Sequence, residues 1–164
     1  WAYSRADVAS ATFGAALDSI GQRGTQRCGD HPLSAFFELH IEQGPILEAE
    51  GVDIGAVTGV QGIRWFEVTV TGQDAHTGAT PMHLRKNALL GAARIVEAVE
   101  AVARAHAPLA VATVGSMQIK PNSPNVVPGE VFLTIDMRHQ DAAVLESMER
   151  ALAPALVAAC LPTS

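Results

Sequence analysis

The chain has 164 residues, of which 48% are hydrophobic and 17% charged, a composition typical of a folded globular protein. The formal net charge is −6 and the basic residues are scattered along the chain, so a nucleic-acid partner is not expected. No apolar stretch reaches the roughly 20 residues that span a bilayer, so a membrane partner is not expected either. Cys28 and Cys160 lie far apart, which indicates two free thiols in a reducing cytoplasm.

The first third of the sequence predicts two helices that are separated by a loop and a short apolar run. Apolar residues at helical spacing predict a helix over residues 7–20. The run AFFELHI at residues 35–41 has the length and aromatic content of a strand or of a helix start. Residues 42–51 are expected to continue as a helix that ends at the glycine.

A change of pattern near residue 62 indicates a second domain. From there the sequence predicts strand, helix, strand, strand and helix, with the two helices at residues 82–106 and 141–159 and the last two strands at 110–119 and 130–138. This is the order of a ferredoxin-like domain, whose last strand would lie beyond Ser164. The open sheet edge, together with a start at Trp1, leads us to expect a chain cut from a longer protein.

The apolar stripes of the two long helices predict which of their faces are buried. The predicted buried residues are Leu89, Ala92, Val96, Val99 and Ala103 in the first helix, and Val144, Leu145, Met148, Leu152 and Ala155 in the second. Pro154 is expected to kink the second helix or to end it early. In the last strand, alternation places Val131 and Met137 on one face and Arg138 on the other.

Two polar clusters contain a histidine in a setting that could support chemistry. In ELHIEQGP, His40 ends an apolar run between carboxylates, and its imidazole suits Zn, Mn or Co. The alternative is a surface histidine beside solvated glutamates. In GQDAHTGATPM, His76 lies in a loop rich in Gly and Thr, where it could donate a hydrogen bond to a developing oxyanion. The alternative is a turn residue without a role.

Two further clusters contain groups that could hold a ligand. PNSPNVVPG presents Asn125 on a stiff loop, either as a turn former or as an amide offered to a ligand. In DMR, Arg138 is either a surface charge or a bidentate binder of a carboxylate. A small zinc site built from Cys28, His31 and His40 is a further alternative, although no second matching pair follows it.

In this order and at these intervals, the four clusters resemble the hydantoinase/carbamoylase branch of the M20 metallopeptidase-like family. That branch includes N-carbamoyl-L-amino acid hydrolases, allantoate amidohydrolases and beta-ureidopropionases. The resemblance covers nearly the whole chain, and ELHIEQGP is distinctive of the branch. It implies an α/β protein in which residues 1–61 are part of a metal-binding catalytic domain. Residues 62–164 would then be an incomplete ferredoxin-like lid through which two subunits form a homodimer.

The resemblance also implies roles for five residues and a small-molecule ureido substrate. His40 matches a ligand of a centre of two divalent metal ions, and Gln43 a residue near the substrate. His76 matches the lid histidine that reaches the active site of the partner subunit. Asn125 and Arg138 match the pair that grips the substrate carboxylate. The remaining metal ligands and the general base would lie outside residues 1–164, so the chain alone is expected to be inactive.

One residue departs from the family pattern, and two other functions also fit parts of the sequence. Asn87 stands where the family usually has Asp, a change expected to weaken a contact with Arg85 at the helix start. The first rival is an M20 aminopeptidase or aminoacylase, which ELHIEQGP disfavours. The second is a non-catalytic dimerisation or binding module, since most of the chain would be lid.

Overall fold

The computed structural model describes residues 2–27, 29–30 and 32–160, and the chain divides into the units Trp1–Gly55 and Ala56–Ser164. The first unit contains a 3-10 turn and two short helices. These are the turn Ala2–Ser4, helix α1 at Phe13–Ser19 and helix α2 at Ile46–Glu50. Among the described residues, no helix combines the length and the apolar character needed to cross a membrane.

Helix α1 begins later than predicted because local side chains favour a turn before it. The Asp7 carboxylate accepts hydrogen bonds from the backbone N–H groups of Ala9 and Ala11, both at 2.9 Å. Thr12 then caps α1, accepting from the N–H of Ala15 at 3.1 Å. The prediction of a helix over residues 7–20 is therefore wrong for its first half and confirmed for its second.

The segment 35–41 forms neither the strand nor the helix expected of it. A strand needs a neighbouring strand for its backbone hydrogen bonds, and the described part of this unit contains no strand beside it. Its apolar side chains are exposed, including Phe37 at 92% and Leu39 at 104%. The helix predicted over residues 42–51 is confirmed only as the single turn α2, which ends at Gly51 with φ of 65°.

The second unit is built on a three-stranded antiparallel sheet, flanked by two helices and a short two-stranded ladder. The strands are β1 at Gly62–Thr71, β2 at Ala75–His76, β3 at Val111–Lys120, β4 at Val126–Val127 and β5 at Glu130–His139; the helices are α3 at Ala88–Ala105 and α4 at Ala142–Ala159. The order in the large sheet is β1-β5-β3, and β2 pairs with β4. The predicted succession of strand, helix, strand, strand and helix is confirmed.

One face of the sheet forms the core against α3 and α4. The inward residues of β5 (Val131, Leu133, Ile135 and Met137) are at most 1% exposed. They pack with Ile95 and Val99 of α3 and with Leu145, Met148 and Leu152 of α4. Val96, predicted to be buried, is 38% exposed because the buried stripe of α3 passes through Ile95 instead.

The helix boundaries depend on caps that the apolar stripe does not reveal. Helix α3 begins at Ala88, not near residue 82, because the Asn87 side chain caps it by accepting from Leu89 and Leu90 at 3.0 and 3.2 Å. A 3-10 turn occupies Met82–Leu84. Helix α4 runs through Pro154 to Ala159, so the expectation of an early end is wrong.

The central strand β5 separates two polar regions of the second unit. At its first residue, Glu130 pairs with Thr71 and Lys120, next to the loops that carry β2 and β4. At its other end, Arg138 pairs with Ile63 and Val111. Eight residues at about 3.3 Å each place these ends about 26 Å apart. The face of β5 that is turned away from the helices carries Phe132, Thr134, Asp136 and Arg138.

Candidate functional site

His40 is exposed, and its ring is held by its own backbone. The Nδ1 atom lies 2.5 Å from the carbonyl oxygen of Ile41, so the ring donates from Nδ1 and leaves Nε2 free. A metal-binding histidine commonly has this arrangement, in which one ring nitrogen bonds a carbonyl and the other is the ligand. His40 thus fits the ligand chemistry predicted for it. No group of three or more His, Cys, Asp or Glu side chains within the described residues could hold a metal ion.

Glu42 and Gln43 follow His40 and shape the backbone of this segment. The Glu42 carboxylate accepts from the N–H groups of Ile46 and Leu47 at 3.1 Å each, so it caps α2. Gln43 has φ of 55°, a left-handed conformation that is costly for a residue with a side chain. The cap and the turn hold the Gln43 side chain on an exposed corner, where the resemblance expects a residue near substrate.

The alternative zinc site cannot be built from the described residues. Cys28 and His31 lie outside them, and only His40 of that trio is described. Cys160, the other cysteine, is a free and exposed thiol.

The ring of His76 is oriented by a local hydrogen bond. Its Nδ1 atom accepts from the backbone N–H of Gly78 at 3.1 Å, which places the ring proton on Nε2. The residue is exposed, so the Nε2–H group is available as a donor. This is the group required to stabilise an oxyanion on a substrate.

Hydrogen bonds to backbone carbonyls hold the loop that carries His76. The Nε2–H donor of His76 therefore has a fixed position. Arg85 donates from Nε to the carbonyl of Thr80 at 2.9 Å and from Nη2 to that of Thr77 at 2.6 Å. Thr77 in turn donates its N–H to the carbonyl of Asn125 at 3.0 Å. Arg85 therefore binds the loop and not Asn87, so the contact expected between Arg85 and residue 87 is absent.

Two glycines allow the segments on either side of this loop to approach each other. Gly72 donates to the carbonyl of Gly129 at 2.7 Å, and Gly129 donates to the Asp74 carboxylate at 2.7 Å. A Cβ at Gly72 would lie 2.1 Å from the carbonyl oxygen of Lys86, and one at Gly129 would lie 2.5 Å from Asp74. Only glycine fits at these crossings.

Asn125 lies beside His76, because His76 pairs with Val126 in the β2–β4 ladder. The Ser123 hydroxyl donates to Asn125 Oδ1 at 2.9 Å, which leaves the amide NH2 group as the available donor. The structure therefore brings two predicted site residues, His76 and Asn125, to one end of the sheet.

Arg138 lies at the other end, on the outer face of β5, as the alternation predicts. Its Nε and Nη2 atoms donate to the two carboxylate oxygens of Asp136 at 2.9 and 2.6 Å. This guanidinium, and after it the indole of Trp65, hold the pKa of Asp136 below its ordinary value. A surface cavity of about 240 Å³ opens here, lined by Val111, Ala112, Thr113, Asp136 and Arg138.

The five predicted residues thus occupy three places. His40 and Gln43 are in the first unit; His76 with Asn125, and Arg138, are at opposite ends of the second. Arg85 holds the loop of His76 and Trp65 lies opposite Asp136, and neither residue was predicted to belong to the site. Trp65 could be placed on the outer face by alternation, but its position opposite Asp136 depends on the strand register. Nothing in the sequence signals that Arg85 binds two carbonyls.

Comparison with known proteins identifies the relatives of this chain. The family model of the peptidase dimerisation domain matches residues 58–163. An N-carbamoyl-L-amino-acid amidohydrolase of Rhizobium meliloti is 51% identical over 148 residues, 90% of this chain and 36% of that protein. The allantoate amidohydrolase of Escherichia coli (strain K12) is 43% identical over 78% of this chain and 31% of that protein. A crystal structure of a hydantoinase/carbamoylase family amidase from Burkholderia multivorans matches with a TM-score of 0.86 and 54% identity, over 96% of this chain and 38% of that one.

The chain belongs to the peptidase dimerisation domain family of the M20 group. The resemblance to N-carbamoyl-L-amino-acid and allantoate amidohydrolases, and the mixed fold with a small antiparallel sheet, are confirmed. The chain spans a little over a third of the length of the first relatives it matches, 36% of one and 38% of another.

Proposed function

We propose that the protein containing this chain is a metal-dependent amidohydrolase that cleaves a linear C–N bond of a ureido compound. The substrate would be an N-carbamoyl-L-amino acid, allantoate or beta-ureidopropionate. The observation that carries the proposal is the fixed Nε2–H donor of His76 beside the Asn125 amide, in a chain whose relatives have these names.

His76 would act where charge develops during hydrolysis. Attack on the ureido carbonyl places negative charge on its oxygen, and a preorganised N–H donor stabilises that charge more than it stabilises the ground state. The Gly78 bond fixes the tautomer, and the carbonyl bonds from Arg85 fix the loop. His76 therefore need not reorganise as the reaction proceeds.

His40 would hold one of two divalent metal ions, Zn, Mn or Co, through Nε2. The metal centre, when bound, would supply an activated water and polarise the substrate carbonyl. The chain contributes this single ligand from its described residues, so we expect the chain by itself to be inactive. Gln43, on its exposed corner, would contact the substrate nearby.

The substrate carboxylate would be bound by Arg138 and Asn125, and the structure constrains how. Arg138 lies at one end of β5, and Asn125 lies beside the β2–β4 ladder near the other end, where Glu130 is about 26 Å from Arg138 along the strand. Arg138 and Asn125 can meet one small substrate only if they come from different subunits. We propose a homodimer in which His76 and Asn125 enter the active site of the partner, while Arg138 serves its own subunit.

A second candidate function is a dimerisation module without catalysis. The match to a dimerisation domain over residues 58–163 favours it for the isolated chain. The aminopeptidase or aminoacylase rival receives no such support from the relatives described above. The cytoplasm stays the expected compartment, on the basis of two cysteines that lie far apart in the sequence.

The test uses the full-length protein with added Mn, Co or Zn. Release of ammonia from N-carbamoyl amino acids and from allantoate would be measured beside hydrolysis of dipeptides and N-acyl amino acids. We expect ureido hydrolysis that His40→Ala abolishes together with bound metal, and that Arg138→Ala weakens mainly through KM. His83→Ala, at another exposed histidine, is the control. Turnover of dipeptides alone would favour the peptidase, and a stable dimer without turnover would favour the dimerisation module.

A further inference from the structure

The contact between Asp136 and Arg138 has a geometry that suits more than charge neutralisation. The carboxylate accepts from Nε and Nη2, which form the side edge of the planar guanidinium. A guanidinium carries five N–H donors, so the end edge, formed by Nη1 and the second N–H of Nη2, keeps the geometry for a second carboxylate. Asp136 thus fixes the plane of the group and leaves one edge for a ligand.

Asp136 is itself held by a neighbour on β1. Trp65 lies directly opposite Asp136 across the ladder, and its indole contributes to lowering the pKa of the Asp136 carboxyl. The indole ring is 74% exposed, while the side chain of Asp136 is 25% exposed. The Asp136 carboxylate thus lies between Trp65 and Arg138 on the outer face and accepts hydrogen bonds from the Arg138 guanidinium.

The surroundings leave room for a ligand at the free edge of Arg138. The side chain of Arg138 is 41% exposed, and the cavity of about 240 Å³ opens against it. The neighbouring outer-face residues Ile63 and Val111 are apolar and partly exposed. Within this cavity, Arg138 contributes the cation and Asp136 the carboxylate that orients it.

We propose that Asp136, which lies between Trp65 and Arg138, is a positioning residue that presents the end edge of Arg138 to the carboxylate of the substrate. This inference rests on the proposed function, in which Arg138 binds that carboxylate. A fixed guanidinium loses less conformational freedom on binding than a mobile one, so the orientation of Arg138 is expected to appear as affinity.

Simple electrostatics and the positioning role predict opposite effects on substrate binding when the charge of Asp136 is removed. Asp136 is an anion close to the proposed site for the substrate carboxylate, and the two negative charges repel each other. Removing the charge of Asp136 would, by the loss of this repulsion alone, tighten the binding of substrate. The positioning role predicts the opposite. Asp136→Asn keeps the shape of the side chain but cannot accept from both donors of Arg138 with equal strength.

The experiment compares variants of the full-length enzyme with a substrate it turns over. For Asp136→Asn we expect KM to rise about tenfold with kcat changed less than about twofold, the pattern of a lost binding interaction. Trp65→Phe, which keeps the ring and removes the donor, should raise KM roughly two- to threefold. Asp136→Glu keeps the charge and should lie between the parent and Asp136→Asn. Glu100→Gln, which breaks an Arg–carboxylate pair of 2.6 Å on α3, is the matched control and should leave KM unchanged.

A binding measurement separates positioning from catalysis. Calorimetric titration of a substrate into the His76→Ala variant, where turnover is slow, should give a Kd that Asp136→Asn weakens by the same factor as KM. Thermal melting identifies any variant that fails to fold; if Asp136→Asn is one, Trp65→Phe and Asp136→Glu decide by the same two readouts.

The inference and the proposed function fail in distinguishable ways. If Arg138→Ala raises KM while Asp136→Asn leaves it unchanged or lowers it, Asp136 does not position Arg138 and the proposed function stands. If Arg138→Ala leaves both KM and Kd unchanged, Arg138 does not bind the carboxylate; this inference and the role of Arg138 are then overturned, while ureido hydrolysis by the parent still supports the proposed activity.

Discussion

The two ends of strand β5 hold their polar residues by different means. At the Glu130 end, hydrogen bonds to backbone groups fix the segments that carry His76 and Asn125: Gly72 donates to Gly129, Thr77 donates to Asn125, and Arg85 donates to two loop carbonyls. At the Arg138 end, a side-chain carboxylate fixes a side-chain guanidinium. The first region depends on the path of the chain and the second on two functional groups.

This difference predicts how each region responds to substitution. A change at a backbone crossing of the first region must move the loop, so it should alter both stability and turnover. A change of side chain in the second region leaves the ladder of β1, β5 and β3 intact, so it should alter binding with little effect on folding.

Removal of the fixed donor should have the largest effect. In the full-length enzyme, His76→Ala should lower kcat by about 10²–10³-fold, as measured for single oxyanion donors elsewhere. The stability of the protein should not change, because the His76 side chain is exposed. The control is His83→Ala, and a kcat within twofold of the parent for His76→Ala would remove His76 from the reaction.

The backbone crossing should respond next. Gly72→Ala places a methyl group 2.1 Å from a carbonyl oxygen, and we expect a loss of about 1–3 kcal/mol in the free energy of unfolding, with reduced kcat as the loop shifts. Gly115→Ala is the control, because no atom lies within 4 Å of its Cβ position. Urea denaturation measures both, and equal stabilities would mean that the close approach of Gly72 to Lys86 is not required.

The cap of α3 should have a smaller and purely structural effect. Asn87→Ala removes the acceptor for two N–H groups and should cost about 1 kcal/mol of stability. Asn87→Asp should be close to neutral, since both residues cap well. Thermal melting of the two variants checks this. A large loss for Asn87→Asp would indicate a role for residue 87 other than capping.

The smallest effect is the pH dependence of the Asp136–Arg138 pair. The pKa of Asp136 is below its ordinary value of 3.8 because Arg138 stabilises the charged form. The stability contributed by the pair is therefore complete above the unfolded pKa and is lost as the pH falls through the lowered folded pKa. Carboxyl NMR titration should show a pKa in Arg138→Ala that is higher than in the parent. An unchanged pKa of Asp136 in Arg138→Ala would mean that Arg138 does not stabilise the charged form of Asp136.

The sequence predicted the second unit well because its signals are periodic. Alternation of Val131 to Met137 with Asp136 and Arg138 identified β5 and its two faces. The roles that the motifs indicate for His76 and Asn125 stay predictions. The alternation predicts this strand correctly because residues 131–137 pack against helices of the same unit. The i,i+4 spacing of Glu100 and Arg104 also indicates an ion pair on α3, and this pair is formed at 2.6 Å.

The failures arise where local side chains or distant partners decide the structure. The start of α1 is set by the carboxylate of Asp7, which competes with the helix for backbone N–H groups. Segment 35–41 has strand-like composition and no described strand beside it. The separation of Asn125 from Arg138 depends on the strand register, which composition does not contain.

In the homodimer that we propose, the two ends of β5 serve two different active sites. The direct test mixes full-length His76→Ala subunits with Arg138→Ala subunits, each inactive or nearly so, at substrate concentrations well below KM. A mixed dimer would contain one site with both residues intact, so random exchange should restore roughly a quarter of parental activity. Mixing His76→Ala with Asn125→Ala, from the same end, should restore none. Absence of recovery in the first mixture, with exchange of subunits confirmed by mass spectrometry, would contradict the account.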